Sequence, residues 1–236
     1  MLEFIADSIR RGRKEKLLKY NNARMAGATL FPEIALDDSD IDRCTDFASK
    51  YDYSAASSRH SSGDIGKFMS DNIAGKLGEI VVMKSMPLLG MEMDEPDFTI
   101  LDNMDKSFAS DIMSRRGDRF SVKSCYNYDF PVSWTLQYTN SDGNGGKDRH
   151  FFGADDSLRM GEWFCGVILS HDMRKGSILW LAPMQTLYDN RDVLYELPIK
   201  EDLKRTKRVV YWSTVVEHGF DRQEHTLENA MKGCIQ

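Results

Sequence analysis

With 236 residues and 27.0 kDa, of which 41% are hydrophobic and 29% charged, the chain is long enough for one domain with elaborations and has an ordinary globular core content. A net charge of -6 and a pI near 5.4 argue against a surface coated for nucleic acid, although a metal site needs its own carboxylates and basic residues need line only one face. The 4 cysteines and 5 histidines are scattered with no C-x-x-C pair, against structural zinc or a disulfide framework, and with no membrane-length apolar run or signal-peptide pattern a cytoplasmic protein is expected.

The first 20 residues carry Leu2, Ile5, Ile9, Leu17 and Tyr20 at roughly helical spacing, in the most basic stretch of the chain. A solvated helix face explains those charges slightly better than phosphate contact. Asp37-Asp38-Ser39-Asp40 supplies an N-cap and an acidic first turn for a helix from about Ile41 to Ser49. Residues 51–63, rich in Ser and Tyr, read as a loop. A longer helix follows from about Asp64 or Ser70 to Ser85, stopped before Pro87. Its apolar stripe is Ile73, Leu77, Ile80 and Val81, with Lys84 snorkelling. Glu79 lies off the centre of that stripe, and Gly75, one turn earlier, leaves room for a close neighbour. A plain surface Glu is the competing reading.

Phe98-Thr99-Ile100-Leu101 is strand-like and follows Glu95-Pro96-Asp97. Ser110 to Cys125 then reads as a tight hairpin with Arg115-Arg116-Gly117-Asp118 as its turn, because Gly reaches positive φ without steric cost. In the second arm Phe120 and Val122 point to one side, and Arg119, Ser121 and Lys123 to the other. Register decides whether Asp111 lies beside Lys123. An aromatic-rich strand follows over Val132 to Tyr138, then a polar Gly-rich loop over 139–148 without the spacing of a phosphate-binding loop. Trp163–Ser170 and Ser177–Ala182 read as strands joined by a turn containing His171 and Asp172, where ordinary turn residues are favoured over acid-base chemistry. A helix is expected over Pro183–Asn190. A second basic cluster follows over Ile199–Arg208, a strand over Val209–Val216, and a final helix over about Glu224–Lys232.

The ordered set of a Glu in a Gly-flanked helix (Gly75-Lys76-Leu77-Gly78-Glu79), then Asp111, then a hairpin ending in Ser121-Val122-Lys123, resembles the PD-(D/E)XK nuclease superfamily. The resemblance covers about Asn72 to Leu181 and departs from the pattern at Ser121, where the family has an acid. It implies a restriction-endonuclease-like α/β (α+β) fold, a mixed central β-sheet flanked by helices. The corresponding division is an N-terminal helical region 1–63, a nuclease-like core 64–216 and a C-terminal tail or helix 217–236, within one compact domain. It also implies a Mg²⁺-dependent (or Mn²⁺-dependent) endonuclease acting on phosphodiester bonds, with DNA as the favoured substrate and RNA and a homodimer left open. Glu79, Asp111 and the Val122 carbonyl would hold the metal, and Glu79, Asp111, Lys123 and Gln137 would form the catalytic set. Arg115, Arg116 and Arg119 would contact nucleic-acid phosphates, and Asp97 is the reserve ligand. The alternative is a catalytically inactive nuclease-fold protein that binds nucleic acid or a protein partner.

Overall fold

The computed structural model describes residues 31–50, 65–100, 111–126, 132–138, 149–150, 162–198 and 207–221. The helices expected in the first 20 residues and over 224–232, the loops 51–63 and 139–148, and most of the basic cluster 199–208 lie outside the described residues. The architecture is mixed α+β. A five-stranded sheet has the order β1-β7-β6-β3-β2, formed by β1 (Ile34–Ala35), β2 (Ile112–Met113), β3 (Arg119–Cys125), β6 (Trp163–Leu169) and β7 (Lys175–Pro183). β3 runs parallel to β6, and the other pairings are antiparallel. A second sheet of three strands has the order β5-β4-β8, with β4 (Ser133–Tyr138), β5 (Arg149–His150) and β8 (Lys207–Tyr211).

Helix α1 (Asp38–Lys50) starts where the acidic cluster predicts a cap. Asp40 N donates to Asp37 Oδ1 at 3.0 Å, and Asp37 N donates to Asp40 Oδ2 at 2.9 Å, so two otherwise unpaired amides at the helix start are satisfied reciprocally. Lys84 does not simply snorkel; its ammonium joins Asp40, tying α1 to the end of α2 (Ile65–Ser85). Helix α2 ends in a short 3₁₀ turn, Met86–Leu89, closed by Gly90 at φ 79°.

The single apolar stripe expected of α2 needs correction. Leu77 to Val82 are six consecutive buried residues, because α2 is packed on one side by the sheet and on another by α1. The space that matters is also not at Gly75, which has nothing near its missing Cβ. It is at Gly78, where a Cβ would lie 1.9 Å from Ser124 Oγ and 3.4 Å from Val122 Cγ1. The glycine lets the helix approach β3.

One consequence is measurable. Gly78→Ala is expected to destabilise the protein by about 1–3 kcal/mol through overpacking. Ser124 Oγ is buried with no hydrogen-bond partner among the described residues, so Ser124→Ala alone is expected to be neutral or slightly stabilising. The double variant should recover most of the loss. Urea midpoints of the four proteins check this, and strict additivity of the two changes would show that Gly78 and Ser124 do not constrain one another.

The sheet has an apolar layer on each face. One layer holds Leu77, Ile80 and Val81 of α2 against Phe120, Val122, Cys165, Val167 and Ile178. The other holds Phe164, Trp180 and Ala182 against Trp134 and Val210 of the second sheet, with Met184 and Leu187 of α3 (Met184–Asp189), Leu194 of α4 (Arg191–Leu194), and Trp212 and Val215 of α5 (Trp212–Glu217). β6 and β7 match the two late strands expected. In their turn Asp172 Oδ1 accepts from Ser170 Oγ at 2.6 Å and Arg174 N at 3.1 Å, the role of an ordinary turn aspartate.

One expected strand is absent and another is cut short. Phe98 to Ile100 form no strand; the Phe98 ring meets Phe47 edge-on at 5.7 Å and lies under the Arg43 guanidinium at 4.1 Å. The strand expected over Val209–Val216 stops at Tyr211 and becomes helix α5. Trp212 N donates to Val132 O at 3.0 Å, and Trp212 to Val215 are buried, so tertiary packing overrides the β-propensity of this run. No helix among the described residues is long and apolar enough to cross a membrane.

Candidate functional site

The hairpin forms as its turn chemistry requires. Gly117 has φ 94° and donates its N–H to Ser114 O at 2.9 Å, and Ser114 N donates to Asp118 O at 2.9 Å. The observed register pairs Ile112 with Phe120 and Met113 with Arg119, so Asp111 comes opposite Ser121. β2 has only two residues, and among the described residues no strand lies beside the outer edge of β3 beyond Phe120.

Side chains occupy that edge. Val122 N donates to Asp111 Oδ2 at 2.7 Å, and Val122 O accepts from Lys123 Nζ at 3.0 Å. Lys123 Nζ also reaches Asp111 Oδ2 at 3.1 Å, and Ser121 Oγ donates to the same oxygen at 3.4 Å. Both polar groups of one backbone unit are thus held by the Asp111–Lys123 pair, where a ladder would otherwise continue.

Glu79 enters from α2, and the surface-Glu reading fails: the residue is only 7% exposed. Burial pushes its carboxyl up from an ordinary value of 4.5 to about 8; the Lys76 charge and hydrogen bonds oppose that rise, the Asp111 charge adds to it, and the Lys123 charge lowers it. The charges of Asp111 and Lys123 thus both act on Glu79. Cys165 of β6 pairs with Val122 of β3, and its thiol is pushed up by burial and, secondarily, by Asp111.

The pH dependence has a definite sign. Below about pH 4.5 Glu79 is protonated in both the folded and unfolded chains. Between about 4.5 and about 8 the unfolded chain ionises while the folded one retains its proton, so this group's contribution to stability falls as pH rises. The limiting slope is about 1.4 kcal/mol per pH unit. Glu79→Gln is expected to flatten the unfolding free energy across that window. Urea titrations at several pH values measure it, and parallel curves for variant and wild type would contradict the raised value.

The remaining predicted residues divide. Arg115, Arg116 and Arg119 are exposed at the turn, and Arg115 pairs with Glu92 at 2.9 Å. Asp97 is held as a turn carboxylate: Thr99 N donates to its Oδ1 at 2.8 Å, and these hydrogen bonds, before the Lys76 charge, lower its carboxyl. Gln137 lies on β4, paired with Arg208 and His150 in the second sheet rather than beside β3 in the main one, and its side chain lies outside the described residues.

Sequence reasoning missed Lys76. Its ammonium donates to Glu79 Oε1 at 3.0 Å, Glu79 Oε2 at 2.8 Å and Asp97 O at 2.6 Å. The signal was present in the i, i+3 spacing of Lys76 and Glu79, which places them on one helix face.

The donors present are hard oxygens, two carboxylates and one backbone carbonyl, and their chemistry fits Mg²⁺ or Mn²⁺. Among the described residues no group of three or more His, Cys, Asp or Glu side chains could hold a metal. Water and substrate oxygens would complete such a set. No family model, curated protein or solved structure matches the chain.

Proposed function

We propose that this chain is a metal-dependent nuclease of the PD-(D/E)XK type, restriction-endonuclease-like in fold, that hydrolyses phosphodiester bonds, with DNA as the favoured substrate. The observation that carries the reading is the Asp111–Lys123 pair clamped on the Val122 backbone, with both charges acting on buried Glu79. Glu79, Asp111 and the Val122 carbonyl would hold Mg²⁺ or Mn²⁺, which when bound supplies a water of lowered pKa and polarises the phosphate. Asp111 keeps Lys123 oriented at the sheet edge. The Lys123 ammonium offsets negative charge developing on the phosphoryl oxygens. Arg115, Arg116 and Arg119 contact backbone phosphates and set the position of the strand without reading its bases.

A second reading is a nuclease-fold protein that has lost catalysis and binds nucleic acid or a protein partner. The neutral Ser121 hydroxyl favours it, because it stands where the family pattern has an acid. Incubation with plasmid, linear duplex, single-stranded DNA and RNA, with Mg²⁺ or Mn²⁺ and with a chelator, separates the two. Cutting that needs the divalent ion is the expected result and identifies the substrate. Binding without cutting of any substrate would favour the second reading.

A further inference from the structure

Lys76 is the feature that neither the composition nor the proposed reaction uses. Its three donors reach three acceptors, both carboxylate oxygens of Glu79 and the carbonyl of Asp97. The rings of Phe47 and Phe98 lie 5.3 and 5.5 Å from the same nitrogen. The pair is withdrawn from solvent, with side-chain exposures of 15% for Lys76 and 9% for Glu79. This is a built cation position with oxygen ligands and aromatic walls, and it holds an ammonium.

A divalent ion bound through Glu79 needs at least one of the same two oxygens. It would also place two positive charges against the ammonium in a region of low dielectric, where their repulsion is weakly screened. We propose that Lys76 is the resident cation of this site, and that it must leave Glu79 before a divalent ion can bind there. This inference rests on the nuclease reading. Lys76 is in this sense a positioning residue: it holds both Glu79 oxygens in the metal-free protein and sets the threshold for metal entry. The Asp97 carbonyl is released in the same step, so metal entry also loosens the segment that carries Phe98. A phosphodiester at the site offers the displaced ammonium a new anionic partner, and metal and nucleic acid would therefore bind with positive coupling.

The test is calorimetric titration of the full chain with Mn²⁺ alone, comparing wild type, Lys76→Met, Lys76→Gln and Lys76→Met combined with Glu79→Gln. Methionine keeps an apolar stem in place of the charged one, and glutamine keeps a donor for Glu79 without the charge. The expected result is Mn²⁺ affinity at least tenfold tighter in Lys76→Met, a smaller gain in Lys76→Gln, and loss of the gain when Glu79→Gln is added. A residue with only a structural role would leave the affinity unchanged or weaken it. Mn²⁺ binding to the wild type with no gain in either Lys76 variant overturns the displacement and leaves the nuclease reading standing. No Mn²⁺ binding to any of the four proteins overturns both. Should Lys76→Met fail to fold, the ¹⁵N signal of the Lys76 ammonium in the wild type gives the same answer. It is expected to lose its protection from exchange as Mg²⁺ is added, and a signal unchanged at saturating Mg²⁺ overturns the proposal.

Discussion

Trp134→Ala is expected to lower the unfolding free energy by about 3–5 kcal/mol, the range for removing a large aromatic from a packed core. Trp134 is 2% exposed and stands where the two sheets meet. Its ring lies 5.8 Å from Phe164, 6.4 Å from Trp180 and 6.4 Å from Trp212, and its Nε1 donates to Val167 O at 3.3 Å. The ring reaches this position because Gly166 has no Cβ; one built there would come within 2.6 Å of the indole. The cavity left by alanine is walled by strands on one side and α5 on the other, so it has little room to collapse. Domains of this kind have about 5–15 kcal/mol of stability in total, so the variant should lose a large fraction of it. Gly166→Ala should also be destabilising, and the two changes together should be less harmful than their sum. Urea denaturation followed by circular dichroism measures all three. A loss below about 1 kcal/mol for Trp134→Ala would show that the second sheet contributes little to the core.

In the proposed reaction Asp111→Ala and Lys123→Ala are each expected to reduce metal-dependent cleavage by about a thousandfold or more, since each would remove charge acting on the reacting phosphate or its ion. They should differ in stability. Asp111→Ala strips the acceptor from Val122 N and the counter-charge from Lys123, and should cost about 1–3 kcal/mol. Lys123→Ala leaves Val122 N bonded to Asp111 and should cost less. Asp111→Asn keeps an acceptor for Val122 N without the charge, so it should hold most of the stability while still losing cleavage. Rates measured on protein shown to be folded separate the two effects. Undiminished cleavage in both alanine variants would remove Asp111 and Lys123 from the site and with them the proposed mechanism.

The elements legible in the sequence are those specified by neighbours in the chain. The Gly117 turn, the alternation of β3, the acidic cap of α1 and the stop of α2 before Pro87 each depend on contacts within a few residues. The candidate site was legible to the same extent. Asp111 and Lys123 lie on two arms of one hairpin, whose turn narrows the register to a few choices. What could not be read locally was decided by residues far away. Val209 to Val216 has the composition of a strand, but its second half is helical against Val132 and the second core. Phe98 is strand-like by type, yet it is held by Phe47 and Arg43 from α1. Gln137 follows Lys123 by one strand in sequence, but β6 takes the neighbouring place in the sheet and β4 goes to another one.

By itself, then, the sequence determined where the chain turns, which arm of the hairpin alternates, and that Asp111 and Lys123 could come side by side. Period and turn chemistry act over a few residues and need no tertiary partner. Only the tertiary structure decided that Glu79 is buried, that Gly78 rather than Gly75 makes the close approach, and that Lys76 rather than solvent meets the carboxylate. The physical reason is that burial belongs to layers, not to segments. A helix covered on one side has a polar face, whereas α2 lies between α1 and the sheet, and the acid placed there is met by Lys76 of its own helix.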